Sequence, residues 1–240
     1  MNNNELKYIQ SFAHKKHWDQ ESVFIVEGPK LVKELLASDW VIEKIYATNT
    51  WLNEQGPLDV PTEQVDEIIL ERITQLKTAN QVIALVKKKL KNESFNFDKD
   101  LTLVLDGIQD PGNFGTIIRT ADWFGVKQIV VSADNAGFYN PKVIQSSMGS
   151  FLRVDVAQYD LEQLLSNTPL PIYGAVLLGA PLSSTKIQAP CFLVIGNESK
   201  GIRLNIQPYI THPITIPSFG KAESLNAAVA TGILLSSFRH

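Results

Sequence analysis

From Leu101 onward the chain alternates short apolar runs with segments in which apolar residues recur every three to four positions. Leu101–Leu105, Gln128–Ser132, Val154–Ala157, Ile172–Leu178, Phe192–Ile195 and Ile214–Ile216 read as strands. Between them the helical period predicts Asn113 to about Phe124 (closed by Gly125), Pro141–Ser147, Leu161–Ser166, and an Ala-rich last helix capped by Ser224 or Asn226. Runs such as Leu101–Leu105, apolar almost throughout, suit strands buried on both faces of a parallel sheet. The expected class is therefore α/β, with a mostly parallel sheet flanked by helices over residues 100–240.

The N-terminal part has a different rhythm. Leu6, Ile9, Phe12 and Ala13 predict a helix over Asn4–Lys16, and Ser22–Val26 is a β-rich run ended by Glu27-Gly28-Pro29. Leu31, Val32, Leu35 and Leu36 mark the next helix, Val41–Ala47 alternates as a strand, and Trp51–Gln55 is a short helix. Thr62–Leu70 reads as another helical turn, and Ile73–Leu76 and Val82–Val86 complete a small α/β domain over residues 1–90. The charged stretch around 91–99, rich in Asn, Ser and Lys, reads as a linker.

Composition narrows the class. With 240 residues and 44% hydrophobic side chains, the chain can bury a sizeable core. No apolar run is long enough for a membrane span, and Met1-Asn-Asn-Asn-Glu5 has no signal-peptide pattern, so no membrane partner is expected. The single Cys191 rules out an internal disulfide and a cysteine-based zinc site, which suits a cytoplasmic location. Charge argues the other way from nucleic acid. A net charge of -3 leaves no overall basic footprint, with 12 basic and 14 acidic side chains in residues 1–95 and 10 and 11 in the rest. A polyanion would have to be held by local patches, of which His14-Lys-Lys-His17 and Lys87-Lys-Lys-Leu-Lys91 are the candidates.

Three polar blocks follow apolar strands, where an open α/β sheet binds its ligand. They are Asp106-Gly-Ile-Gln-Asp-Pro-Gly-Asn-Phe-Gly115 with the helix to Asp122, Gly196-Asn-Glu-Ser-Lys-Gly201, and Pro217-Ser-Phe-Gly-Lys-Ala-Glu-Ser-Leu-Asn226. The first two lack the spacing of a dinucleotide fingerprint or a phosphate loop, so hydride transfer and nucleotide hydrolysis are disfavoured. In order, spacing and residue type the blocks resemble the signatures of the SpoU/TrmH family of RNA 2'-O-ribose methyltransferases. The matching residues are Asn113, Gly115, Arg119 and Ala121; Gly196, Glu198 and Gly201; and Pro217, Ser224, Leu225, Asn226 and Ala230. The N-terminal part, through Phe24-Ile-Val-Glu-Gly28 and the helix bearing Lys30 and Lys33, is similar to the substrate-binding domain that precedes many such enzymes.

The resemblance implies a C-terminal trefoil knot, a homodimer, S-adenosylmethionine as methyl donor, and RNA as substrate, with ribosomal RNA favoured over transfer RNA by the extra N-terminal domain. It implies Arg119 as the first catalytic candidate, with Asn113, Glu198, Ser224 and Asn226 positioning substrate or one another. Glu198 would orient Asn113 or Arg119 or cap its own loop, and Asn113 also reads as a helix N-cap. The cofactor would lie on loops after three strands, touching Leu178, Gly179, Gly196, Ile216 and Leu225, largely through main-chain groups. No metal is implied, and turn formation before Pro111 accounts for Asp110. Arginine keeps its proton in proteins, so Arg119 is read as stabilising an alkoxide or adjacent phosphate. Water, phosphate or an activated Arg119 stay open as proton acceptor. Ser147, Gly149 and Lys142 are further candidates on the RNA side of the pocket. Other classes left standing are a tRNA methyltransferase, a non-catalytic RNA-binding or ribosome-assembly factor, and a small-molecule methyltransferase.

Overall fold

The computed structural model describes residues 1–89 and 95–238, and these fall into two compact units. Met1–Leu90 with Gly137–Leu152 form the first, and Lys91–Ala136 with Arg153–His240 form the second.

In the first unit the helical stretch expected over Asn4–Lys16 is two helices, α1 (Asn3–Ser11) and α2 (Lys15–Gln20). Strands β1 (Val23–Glu27), β2 (Ile42–Ala47), β3 (Thr62–Gln64) and β4 (Val82–Lys87) form one sheet in the order β1-β4-β2-β3. Alternate residues face opposite ways on a strand. Phe24, Val26, Val82, Ala84 and Val86 accordingly enter a core with α3 (Pro29–Leu36) and Trp51 of α4 (Asn49–Gln55). Val23, Ile25, Ile83 and Leu85 pack on the other face with Leu6 and Ile9 of α1, its C-cap Phe12, and Leu70 and Ile73 of α5 (Glu67–Ile73). The helix expected from Thr62 is corrected: Thr62–Gln64 pairs in parallel with Ile45–Ala47 as an edge strand, and α5 starts only at Glu67.

The second unit is built on a wholly parallel sheet, ordered β10-β8-β9-β5-β6-β7. Its strands are β5 (Leu101–Asp106), β6 (Gln128–Val131), β7 (Asp155–Gln158), β8 (Ile172–Pro181), β9 (Cys191–Gly196) and β10 (His212–Thr215). β5 and β9 are central and buried at every position, as their apolar runs require. Helices α6 (Pro111–Trp123), α8 (Leu161–Ser166) and α9 (Ala227–Phe238) flank the sheet. The pairing runs from Leu101 opposite Cys191 to Asp106 opposite Gly196, so both strands end at the same level. The loops after them lie side by side.

Two expectations change here. α6 begins at Pro111, and Asp110 rather than Asn113 is its N-cap, accepting from the Asn113 N–H at 2.8 Å. The Asn113 side chain is thereby left for another role. The segment Gly137–Leu152, containing α7 (Pro141–Ser146), groups with the first unit, because Ile144 and Phe151 enter the core around Phe24 and Trp40. Ser147 is fully buried there and donates to the Ile144 carbonyl, so its hydroxyl is not presented to RNA.

Cys191 opens β9 without solvent exposure, and burial pushes its thiol up to about 12. It is therefore expected to resist aromatic disulfide reagents at pH 8 in the native protein and to react at once in denaturant. A stoichiometric native reaction followed by absorbance would contradict this placement.

Candidate active site

The three blocks meet at the carboxyl ends of β5, β9 and β10. Asn113, in the first turn of α6, donates from Nδ2 to Glu198 Oε1 at 2.6 Å, and its Oδ1 accepts from Asn226 Nδ2 at 2.9 Å. Asn226 Oδ1 in turn accepts from the N–H groups of Ala228 and Val229 at 3.0 and 3.3 Å, so Asn226 is the cap of α9. Ser224 Oγ reaches the Glu198 carbonyl at 3.5 Å, a long contact. One side chain from each block thus forms a continuous hydrogen-bonded chain, Glu198–Asn113–Asn226. Of the roles open to Glu198, orienting Asn113 is the one with a bond behind it.

Arg119 stands apart. It lies six residues along α6 from Asn113, about 9 Å along the axis, on an exposed face with Thr116 and Trp123. Among the described residues its guanidinium has no hydrogen-bond or ion-pair partner. Thr116 and Thr120 turn their hydroxyls back to carbonyls one turn earlier and do not compete for it. An exposed arginine with all its donors free is available to an anion.

Gly196 ends β9 where only a glycine fits: a methyl group there would overlap the backbone of Gly201 and Ile202. The turn it permits is closed by Asn197 and Gly201, whose main chains bond each other at 3.1 and 2.8 Å. Asn197 Oδ1 accepts from the N–H groups of Ser199 and Lys200. Ile216 follows directly on β10, and Leu225 is half exposed just ahead of α9. Among the described residues none of the backbone N–H groups from Ser218 to Leu225 donates to the chain itself. A loop with free main-chain donors, an apolar Leu225 and a strand edge beside it fits the adenosine and amino-acid parts of S-adenosylmethionine. Recognition of that kind would be through backbone groups.

The end of β8 expected at Gly179 needs correction. β8 does not stop at Gly179 but runs to Pro181. Its register on β10 jumps from Gly174↔Pro213 to Ala180↔Ile214, so Ala175–Gly179 forms an excursion within the strand and not the loop after it. Thr215 Oγ1 donates to the Leu177 carbonyl at 3.1 Å, and the Leu178 side chain is 93% exposed. Gly179 is required for a structural reason, since a methyl group there would press to 2.7 Å from the Pro213 carbonyl oxygen.

Of the two basic patches, Lys15 and Lys16 are exposed on α2. Lys88 and Lys89 are not free: Lys88 donates to the Trp18 carbonyl at 2.6 Å beside the Tyr139 ring, and Lys89 pairs with Asp39 at 3.1 Å over Trp40. Lys91 lies outside the described residues. Asp106, which in the sequence could be weighed only as a paired acid or metal ligand with Asp110, forms an ion pair with Arg203, which had not been singled out, and Asn197 donates to the Gly107 carbonyl at 2.9 Å. A charged residue ending an otherwise apolar strand was the available signal for Asp106.

A proline inserted at Leu225 would remove an N–H donor and restrict Ser224. Leu225→Pro is expected to weaken S-adenosylmethionine binding about tenfold or more, the loss of one good hydrogen bond. Unchanged affinity by calorimetry in a folded variant would remove Leu225 from the cofactor site.

Residues 100–236 match the SpoU rRNA methylase family, and residues 3–84 match an MRM3-like substrate-binding domain. The chain is 28% identical over 242 residues to the 23S rRNA (guanosine(2553)-2'-O)-methyltransferase RlmP of Bacillus subtilis, covering 99% of this chain and 96% of that protein. It is 35% identical to a protein from Porphyromonas gingivalis assigned to the TrmH family of RNA methyltransferases, with a TM-score of 0.89 over 100% of this chain and 98% of the other. An AdoMet-bound rRNA methyltransferase from Sinorhizobium meliloti superimposes with a TM-score of 0.87 at 26% identity, covering 99% and 94% of the two chains. With more than half its length matched by the family model, this chain belongs to the SpoU rRNA methylase family.

Proposed function

We propose that this protein is an S-adenosylmethionine-dependent RNA 2'-O-methyltransferase acting on ribosomal RNA. The observation that carries the reading is the hydrogen-bonded chain Glu198–Asn113–Asn226, which ties all three family blocks together beside the cofactor loops. The family match and the 2'-O-methyltransferase relative supply the reaction class and the favoured RNA.

S-adenosylmethionine, when bound, supplies an electrophilic methyl group on a sulfonium centre. Gly196, Ile216 and Leu225 would hold it through main-chain groups at the edge of the sheet. Asn113 and Asn226, each fixed by the other and by Glu198, would orient the ribose so that its 2'-oxygen approaches in line. Arg119 would hold the adjacent phosphate or the developing alkoxide with its charged fork. The hydroxyl proton would leave to water or phosphate.

The same reading includes a homodimer and a threaded last helix. Trp123 on α6 is 84% exposed, and Val229 and Ile233 of α9 are also exposed, although α6 and α9 pack together. Such an apolar surface suits a second subunit. α9 also packs against β9 and the turn at Leu182–Ser184, which supports the threading. Light scattering is expected to give twice the chain mass; a monomer at micromolar concentration would count against the dimer. The first unit would bind RNA, with Lys15, Lys16, Lys30 and Lys33 exposed on α2 and α3. Among the described residues no helix is long and apolar enough to cross a membrane, and the cytoplasm is the location that goes with ribosomal RNA.

The direct test is transfer of labelled methyl from S-adenosylmethionine to total RNA and to ribosomal particles, with the size classes separated. Label in large ribosomal RNA is expected. Label confined to transfer RNA would keep the reaction and change the substrate, whereas RNA binding with no label in any fraction would favour an assembly factor.

A further inference from the structure

We infer that the ion pair between buried Asp106 and half-exposed Arg203 is a positioning device for methyl transfer, holding the Asn113 loop and the Glu198 loop in register. The inference rests on the function proposed above. Asp106 is the last residue of β5 and has no solvent exposure. A carboxylate there needs partners on every side. One of its oxygens accepts from the Arg203 backbone N–H at 2.8 Å, the other from Arg203 Nε. A single residue thus grips the carboxylate with main chain and side chain together.

The grip joins the right two segments. Arg203 lies two residues after Gly201, which closes the turn carrying Glu198, while Asp106 stands directly before the loop that leads to Asn113. The contact spreads further. Arg203 Nη1 lies 3.5 Å from Asp134 Oδ1, which accepts from Ser132 Oγ at 2.7 Å, and Ser132 Oγ accepts from the Gly107 N–H at 2.9 Å. The Gly107 carbonyl is held by Asn197. Gly107, the first residue of the Asn113 loop, is therefore clamped at both its main-chain polar groups, in a positive-φ conformation that glycine tolerates.

The 2.6 Å bond between Asn113 and Glu198 spans these two loops. A shift of one relative to the other by an ångström breaks it, and misplacement on that scale costs up to about a hundredfold in rate. None of Asp106, Arg203, Ser132 and Asp134 needs to touch a reacting atom. They act through Asn113 and Glu198.

Arg203→Ala is expected to lower the single-turnover rate about tenfold to a hundredfold, with cofactor affinity changed less than about threefold, because Ile216 and Leu225 lie on another segment and Gly196 is held in the β5–β9 ladder. Hydrogen exchange at the Asn197 and Gly201 amides should quicken. Arg203→Lys, which keeps the cation and the main-chain bond, should recover part of the rate. Should the alanine variant not fold, the neutral pair Asp106→Asn with Arg203→Gln replaces it and should show the same two changes in milder form. Unchanged exchange would overturn the loop contact; quickened exchange with wild-type turnover would overturn its part in catalysis. If the wild-type protein transfers no methyl group to any RNA, the parent reading fails, and the exchange comparison still decides whether the pair holds the loops.

Discussion

Arg119→Ala should cut methyl transfer by about 10²- to 10³-fold, the loss that accompanies removal of a single group stabilising developing charge, while S-adenosylmethionine affinity stays within about twofold. The argument begins on α6. Phe114, Ile117, Ile118 and Ala121 fill the core from one side of that helix, and Arg119 faces solvent on the other. Its truncation removes no packing and no internal hydrogen bond, so stability should move by less than about 0.5 kcal/mol. The free backbone N–H groups proposed to hold the cofactor belong to residues after Ile216, far from Arg119 in sequence and not bonded to it. Rate and affinity should therefore separate cleanly. Arg119→Lys keeps the charge but loses the planar fork and should recover only part of the rate. Calorimetry for the cofactor and rapid-quench single turnover for the rate make the comparison, and a variant with unimpaired turnover would take Arg119 out of the mechanism.

Gly196→Ala should have the opposite signature, a loss of cofactor binding together with a loss of stability. The added methyl would overlap main-chain atoms of Gly201 and Ile202, which cannot rotate away as a side chain can. Relief requires opening the Asn197–Gly201 turn, whose two backbone bonds and whose Asn197 side-chain bonds hold Glu198 in reach of Asn113. Overpacking of this kind costs about 1–3 kcal/mol, which is roughly ten- to hundredfold if it appears in cofactor affinity. Thermal melting with and without S-adenosylmethionine separates the two effects. A variant that melts like the wild type and gains the same stabilisation from cofactor would show that the turn can relax, and would remove Gly196 from the cofactor site.

Where the sequence was legible, local pattern and burial coincided. β5 and β9 are apolar at nearly every position because both their faces are covered, and that pattern can be read without a partner. β3 could not be read: Thr62 and Gln64 are exposed at the sheet edge, so nothing alternates, and only pairing with β2 makes the segment a strand. The glycine at 179 looked like the end of β8, but it serves a close approach of β10 and the strand continues. Pattern located α7 well and could not say which core Ile144 and Phe151 join, since that is decided by residues distant in the chain. The site divides the same way. Asn113, Glu198 and Asn226 were visible through family spacing, and their mutual bonds join the three blocks. Asp106 and Arg203, 97 positions apart, carry no local signal that they meet. A capping aspartate ahead of Pro111 was misread as a simple turn, which in turn assigned the cap to Asn113.

The central claim is that methyl goes to a ribose oxygen in ribosomal RNA. The most direct measurement is digestion to nucleosides of ribosomal RNA labelled by the purified protein and S-adenosylmethionine, followed by mass spectrometry of the labelled product. The account predicts a single 2'-O-methylnucleoside, with the added mass on the sugar fragment, and its loss in Arg119→Ala. Label on the base fragment, or an Arg119→Ala variant that produces the same nucleoside at the same rate, would contradict it.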